Sequence, residues 1–390
     1  MTTAYQPGTF DFGLSAEQER RAAALHSGSI VWDWLSQHVG GPNIFTAYPE
    51  EQQAEFRELM AAAGSGMVAY GKAIRWPYGL ALEGKSDLLR DWYFQSGMTV
   101  GTYSIVVYEG ADPKWRALEA MQEEFFALPW LRKVTKVEHA RQCKKDGVVG
   151  LYAHWQPITP APRNLDAITE AHDRGLRSFM LTYNRMDNIG VGCTERFDAG
   201  LSNYGIDVVR HCNEIGMIVD TSHCGHMTTM DACRFSKRPV NANHTCAKAL
   251  SGAVRGKSDD ALKAIADTGG VIGVVTVPFF LAKTPKSTIE ATIDHMEYIA
   301  ELVGWRHVSI GTDWPLQAPD EVLRQTLTAE FVEHGFRPGE IDVTDRLAGF
   351  DDYRDLRNIT RGLVKRGFSD EEIRGILGEN ALRVFGEVCG

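Results

Sequence analysis

Short apolar runs alternate with longer, helix-like stretches along most of the chain. In the C-terminal half, the runs at 215–219, 238–242 and 307–311 are short, carry β-branched side chains and are separated by helix-like sequence. Such runs are typical of parallel strands that are buried on both faces of a sheet. The regular succession of these strands and helices predicts an α/β fold, specifically a (β/α)8 barrel.

The pattern also predicts where the elements of this barrel lie. The predicted strands are 29–35, 99–108, 147–153, 177–182, 217–221, 240–243, 270–277 and 307–311. The predicted helices of the regular part are 165–174, 204–214, 227–235, 259–268, 289–303 and 370–377. We expect an N-terminal arm with a short helix over residues 1–25 and helical insertions between residues 36 and 146. Because barrels of about 200 to over 400 residues form one domain, the prediction is a single domain over residues 1–390.

Polar residues follow three of the predicted strands. His223 follows the strand at 217–221, His244 follows the strand at 240–243, and Asp313 follows the last strand. The reacting groups of a (β/α)8 barrel lie at the C-terminal ends of its strands. Two imidazoles and a carboxylate can hold one zinc ion and leave a coordination position open. The three residues therefore predict a metallohydrolase site, and the alternative for each histidine is a hydrogen-bonded structural role.

The composition indicates an acidic globular protein. Of the 390 residues 44% are hydrophobic, the formal net charge is −10, and no basic stretch suggests nucleic-acid binding. The sequence has no run of about 18 apolar residues and no apolar N-terminal segment, so we expect no membrane association and a cytoplasmic location. The seven cysteines lack CxxC spacing and are expected to be reduced thiols.

Six segments carry a specific family resemblance. They are LTYNRMDNIGVGCTERFDAGLSNYG, VVRHCNEIGMIVDTSHCG, RPVNANHTCAKAL, GGVIGV, HVSIGTDW and RNITRGLVKRGFSDEEIRGILGENALRVF. Together they resemble the membrane (renal-type) dipeptidase family, peptidase family M19, and especially its divergent bacterial branch among the amidohydrolase-like barrels. The resemblance covers residues 147–388 well and residues 26–146 weakly. It implies a (β/α)8 barrel that cleaves dipeptides and binds a divalent metal, most often zinc.

The resemblance also implies metal ligands. The family binds two zinc ions through a His-x-Asp on strand 1, a bridging glutamate after strand 3, and one histidine after each of strands 5 and 6. His223 and His244 match the two later histidines, and Asp313 matches an aspartate that transfers protons. In strand 1 the only acid is Asp33, and where the glutamate is expected the chain has His154. We take Asp33 and His154 as candidate replacement ligands. The alternative for Asp33 is that its flanking tryptophans pack in the core and its carboxylate caps a loop. The alternative for His154 is a pocket histidine that binds no metal.

Substrate contacts follow from the same resemblance. Tyr183 replaces a substrate-contacting histidine and precedes Asn184, Lys248 replaces an arginine, and Arg255 matches a basic position of the bacterial branch.

Trp155 and Trp314, with two further tryptophans of strand 1, are expected around the barrel mouth. There they would line a pocket for an apolar or cationic ligand, since indoles attract cations. The alternative is that the indoles fill space left by the missing family ligands.

The sequence thus predicts a metal-dependent hydrolase of a dipeptide or small amide. Without a bridging carboxylate, one zinc ion is favoured over two. Two other functions remain open: a barrel that has lost its metal and binds a small molecule or works without metal, and a metal-dependent lyase or decarboxylase. The expected partner is a small-molecule substrate, and the resemblance implies a homodimer.

Overall fold

The computed structural model describes residues 6–36, 42–62, 66–105, 116–156, 163–281, 288–313, 328–329, 331–337, 340–342 and 345–390. Its strands are β1 Val100–Ile105, β2 Leu131–Lys133, β3 Val149–Trp155, β4 Leu176–Met180, β5 Ile218–Asp220, β6 Val240–Thr245, β7 Ile272–Val274 and β8 Val308–Ile310. Its helices are α1 Ala16–Gly28, α2 Glu50–Ala61, α3 Gly66–Leu82, α4 Leu88–Ser96, α5 Arg116–Phe126, α6 Val137–Asp146, α7 Leu165–Asp173, α8 Asn203–Ile215, α9 His226–Phe235, α10 Lys248–Ser251, α11 Asp259–Asp267, α12 Pro278–Leu281, α13 Ile289–Val303, α14 Leu356–Lys365, α15 Asp370–Arg374 and α16 Asn380–Cys389. Short 3-10 helices lie at Pro42–Ala47, Trp305–His307 and Tyr353–Asp355, and Gly375–Glu379 is a π-helical turn.

The strands form a parallel barrel. Their order is β1, β3, β4, β5, β6, β7, β8, and β2 pairs with the first residues of β3. The predicted strand at 29–35 forms only bridges, yet these bridges lie on both open edges: Trp32 pairs with Val100 of β1, and Asp33 pairs with Ile310 of β8. This segment joins β1 to β8, so the sheet is closed and the predicted (β/α)8 barrel is confirmed.

Close approach of the last strands depends on two glycines. A Cβ atom added at Gly273 or at Gly311 would lie 1.9 Å from the carbonyl oxygen of Asn243. Only a residue without a side chain allows β6, β7 and the end of β8 to approach this closely. The C-terminal end of β6, which carries His244, is positioned by this packing.

One end of the barrel interior is filled by aromatic side chains. Trp32 lies 5.2 Å from Trp34 and 4.9 Å from Phe385 of α16, measured between ring centroids. The hydroxyl of Tyr152 donates a hydrogen bond to the carbonyl of Trp34. Both tryptophans have no exposed surface, so they pack in the barrel interior and do not line an open mouth.

A second, larger core lies between the barrel and the helices around it. This one cluster contains side chains from Phe12 to Leu377, including residues of the helices that precede β3. Trp155 belongs to it and stacks on Phe179 with 6.1 Å between ring centroids. Within the described part of the chain, no helix is both long enough and apolar enough to cross a membrane.

Candidate metal centre

The loop after β5 and the C-terminal end of β6 bring His223 and His244 together. Their Nε2 atoms are 3.0 Å apart, and both side chains are buried. Burial lowers the pKa of each imidazole well below its usual 6.5, and the nearby Arg255 charge lowers it further. Both histidines are therefore neutral at neutral pH, which is the form that binds metals.

Asn184 selects the tautomer of His223. Its side-chain oxygen lies 2.7 Å from His223 Nδ1. An amide oxygen only accepts, so Nδ1 carries the proton and Nε2 keeps its lone pair. Two imidazole nitrogens 3.0 Å apart can both reach one zinc ion through bonds of about 2.0–2.1 Å. The donor atoms present at this pair thus fit a divalent cation.

The loop after β4 holds these groups in place. The amide of Cys193 donates to the carbonyl of His223 over 2.8 Å, and the ring of Tyr183 stacks on the His223 ring with 4.1 Å between centroids. Gly192 lies so close to Asn184 that an added Cβ would be 2.1 Å from its carbonyl carbon. The Gly-rich sequence of this loop therefore serves to pack Asn184 and Tyr183 against His223.

His154 faces a partner that sequence reasoning missed. Its Nε2 atom is 3.6 Å from Oδ2 of Asp220, and both side chains are fully buried. Neither atom has a hydrogen-bond partner among the described residues. Burial lowers the pKa of His154 to about 4, although the Asp220 charge opposes the shift. The available signal was the position of Asp220 at the end of β5, three residues before His223.

The carboxylate of Asp33 accepts hydrogen bonds from neighbouring residues of the barrel wall. It accepts from the amide and hydroxyl of Thr312, at 2.9 and 2.5 Å, and from the amide of Leu35 at 3.1 Å. Burial raises the pKa of this carboxyl group to about 6, although these hydrogen bonds act to lower it. No three His, Cys, Asp or Glu residues among those described lie close enough to hold an ion together. The four predicted ligands Asp33, His154, His223 and His244 are thus not gathered into one cluster, because Asp33 is committed to Thr312.

Asp313 lies where the sequence predicts it, directly beyond β8. Its φ angle is 53°, and no other described non-glycine residue has a positive φ. This left-handed conformation is unfavourable for aspartate and is held by the hydrogen bond from its amide to the carbonyl of Leu35, at 2.8 Å. Such backbone strain is concentrated at functional sites.

The predicted substrate-contacting cations have different surroundings. Arg255 is buried, and its guanidinium donates to the carbonyls of Ser222 and His244. Lys257, which was not singled out from sequence, is also buried and donates to the carbonyls of Thr221 and Cys224. Lys248 is exposed at the start of α10. The two buried cations therefore fix the loop after β5, and Arg255 also joins this loop to His244 of β6.

Other predicted contacts lie apart from this centre or outside the described residues. Trp155 is on the opposite face of β3 from His154, because successive strand residues alternate, and Trp314 lies outside the described residues. A residue not predicted from sequence, His334, contacts Tyr183 edge-to-face with 5.9 Å between ring centroids.

Comparison with known proteins supports the family resemblance. The model of the membrane dipeptidase family, peptidase family M19, matches residues 117–345 and 339–389. Dipeptidase tcpJ of Claviceps purpurea is 30% identical over 48% of this chain and 39% of its own length. Dipeptidase C965.12 of Schizosaccharomyces pombe is 27% identical over 62% of this chain and 54% of its own length. The chain thus spans about half the length of these curated relatives, or less.

A solved structure extends the likeness over nearly the whole chain. An amidohydrolase from Pseudomonas aeruginosa superposes with a TM-score of 0.74 at 25% identity, covering 95% of this chain and 99% of that one. The family model alone spans more than half of the 390 residues and includes both central histidines and Asp313. The chain belongs to the membrane dipeptidase family, peptidase family M19.

Proposed function

We propose that this protein is a metal-dependent hydrolase of dipeptides or similar small amides. The observation that carries the proposal is the pair of neutral, buried histidines whose Nε2 atoms lie 3.0 Å apart. The relatives named as dipeptidases support the substrate class. A divalent cation such as zinc, held by His223 and His244, would supply Lewis acidity to the scissile amide.

The chain's own groups supply the remaining chemistry. In this mechanism the Asp313 carboxylate accepts a proton from the attacking water and returns it to the leaving amine. A C–O bond forms and the C–N bond breaks, so no oxidant or further reactant is needed. Arg255 and Lys257 hold the backbone around His223 and His244 in place by donating hydrogen bonds to its carbonyls. Tyr183 and Asn184 hold His223 while the substrate is bound.

Elemental analysis of protein purified without added metal or chelator tests this function. We expect zinc in the wild type and its loss from the site in a variant combining His223→Ala and His244→Ala. Dipeptide and small-amide hydrolysis should fall in the same variant. If the wild type takes up no metal even after incubation with zinc, the hydrolase mechanism is wrong and the barrel is a metal-free binding protein or enzyme.

A further inference from the structure

Beyond β8 the chain comes back to the candidate metal centre through residues 331–337, which we call the return segment. Phe336 of this segment is buried and stacks on Phe280 of α12, with 5.9 Å between ring centroids. The guanidinium of Arg255, which binds the carbonyl of His244, lies 5.6 Å from the centroid of the same Phe280 ring. The return segment is therefore anchored to the residues that hold the second histidine.

The return segment also packs against the loop after β4. A Cβ atom added at Gly335 would collide with the hydroxyl of Thr194, which donates to the carbonyl of Asn184 over 2.7 Å. Gly335 has a φ angle of 103°, a conformation that favours glycine. A larger residue at this position would be strained on both counts, so the sequence permits close contact with the loop that orients His223.

Between these two contacts lies His334. Its ring meets the Tyr183 ring at 89° with 5.9 Å between centroids, and Tyr183 stacks on His223 with 4.1 Å between centroids. The sum of these two distances places the rings of His334 and His223 at most 10.0 Å apart. His334 is only half-buried, so the return segment brings an imidazole beside the centre from outside the barrel strands.

This separation suits one end of a dipeptide. When the scissile amide lies at the His223–His244 pair, the free carboxylate is one residue, about 3.5 Å, beyond that amide. A hydrogen bond to the carboxylate adds about 2.8 Å, so a ring within 10.0 Å of His223 can reach it. An imidazole N–H donates more strongly to a carboxylate than to a neutral carboxamide, because the acceptor is charged.

We propose that His334 binds the free carboxylate of the substrate and makes the enzyme selective for dipeptides with an unblocked C-terminus. The inference rests on the proposed function and adds a specificity-determining residue to it. A dipeptide whose carboxyl group is amidated has no charge at this point, and a longer peptide carries its carboxylate farther away. The alternative role of His334 is packing against Tyr183 alone.

Hydrolysis of alanylalanine and of its C-terminal amide by the zinc-loaded protein tests this contact. His334→Phe keeps an aromatic ring against Tyr183 but has no donor, and Glu333→Gln is the matched control at an exposed neighbour. We expect His334→Phe to raise the KM for alanylalanine by about 10- to 100-fold, the effect of one hydrogen bond to a charged group. The kcat, the KM for the amide and the zinc content should stay those of the wild type, as should every value in the control.

The comparison of the two substrates distinguishes carboxylate binding from packing. A KM for alanylalanine that does not change in His334→Phe overturns the carboxylate contact. A rise in KM that is equal for the dipeptide and its amide also overturns it, because packing against Tyr183 affects both compounds alike. Either result leaves the proposed hydrolase function standing.

Calorimetric titration with alanylalanine separates this inference from a failure of the proposed function. The titration uses zinc-loaded Asp313→Asn protein with and without His334→Phe, so that affinity is measured without turnover. If the wild type hydrolyses neither compound but His334→Phe weakens binding, the carboxylate contact is supported and the hydrolase function is overturned. If alanylalanine is neither bound nor hydrolysed, both are overturned.

Discussion

At the residue scale, the hydrogen bond from His223 to Asn184 makes Asn184 a positioning residue for the proposed cation site. Asn184→Leu removes the acceptor for Nδ1–H, so the tautomer and the ring orientation are no longer fixed. We expect the zinc affinity to fall about 10- to 100-fold. Asn184→Asp retains an acceptor and should bind zinc at least as tightly. Competition with a chromophoric chelator measures both, and equal affinities in the leucine variant and wild type would contradict this role.

Asp313 provides a second test at this scale. Asp313→Asn keeps the size of the side chain but cannot accept a proton, so dipeptide hydrolysis should fall by about 10²–10⁴-fold in kcat. The zinc content set by His223 and His244 should remain that of the wild type. Retained hydrolysis in this variant would remove Asp313 from the proposed proton transfer.

The candidate site was predictable residue by residue only in part. The position of His223 and His244 at strand ends follows from the pattern of apolar runs, and the structure brings them together. The environment of Asp33 could not be read from sequence, because its partner Thr312 lies 279 residues away. Asp220 was missed because a polar residue at the end of a short strand is as well explained by capping the next loop.

At the element scale, most strands and helices follow the predicted pattern because each buries an apolar stripe of regular period. β2 was missed, since three residues between two helical stretches carry no recognisable alternation. The pairing of β3 with β4 shifts register between Ala153 and His154, an irregularity that changes the direction of side chains. No sequence signal marks this shift, although it bears on where His154 points.

Helices α1, α4 and α14 are joined by one buried histidine. His26 Nε2 donates to the carbonyl of Ser96 over 2.9 Å, and Nδ1 accepts from the hydroxyl of Thr360 over 2.8 Å. Burial lowers the pKa of His26 to about 4. Because the unfolded chain binds this proton below about pH 6.5 and the folded chain does not, stability is lost as the pH falls from 6.5 to 4, by about 3 kcal/mol.

His26→Gln removes this titration while keeping one donor and one acceptor. We expect the difference in unfolding free energy between pH 7 and pH 4 to be smaller in the variant by about 3 kcal/mol. Urea denaturation at the two pH values measures it. The same pH dependence in both proteins would show that His26 is not held neutral in the fold.

At the scale of the whole molecule, the barrel is closed by a very short segment around Asp33. Asp33→Ala leaves the buried amide and hydroxyl of Thr312 without their acceptor and should lower the unfolding free energy by about 2–3 kcal/mol. Asp33→Asn retains one acceptor oxygen and should cost less. Urea denaturation at pH 7 distinguishes them, and equal stabilities of wild type and Asp33→Ala would contradict a closing role for this carboxylate.

The same closure determines when the protein can finish folding during synthesis. The segment at Trp32 and Asp33 pairs with β1 on one side and with β8 on the other, and β8 leaves the ribosome nearly 280 residues later. Until then the segment at Asp33 and the last strand of the growing sheet present unpaired edges, which attract other chains. Long-range closure of this kind is slow, so the nascent chain depends on protection from aggregation for most of its translation.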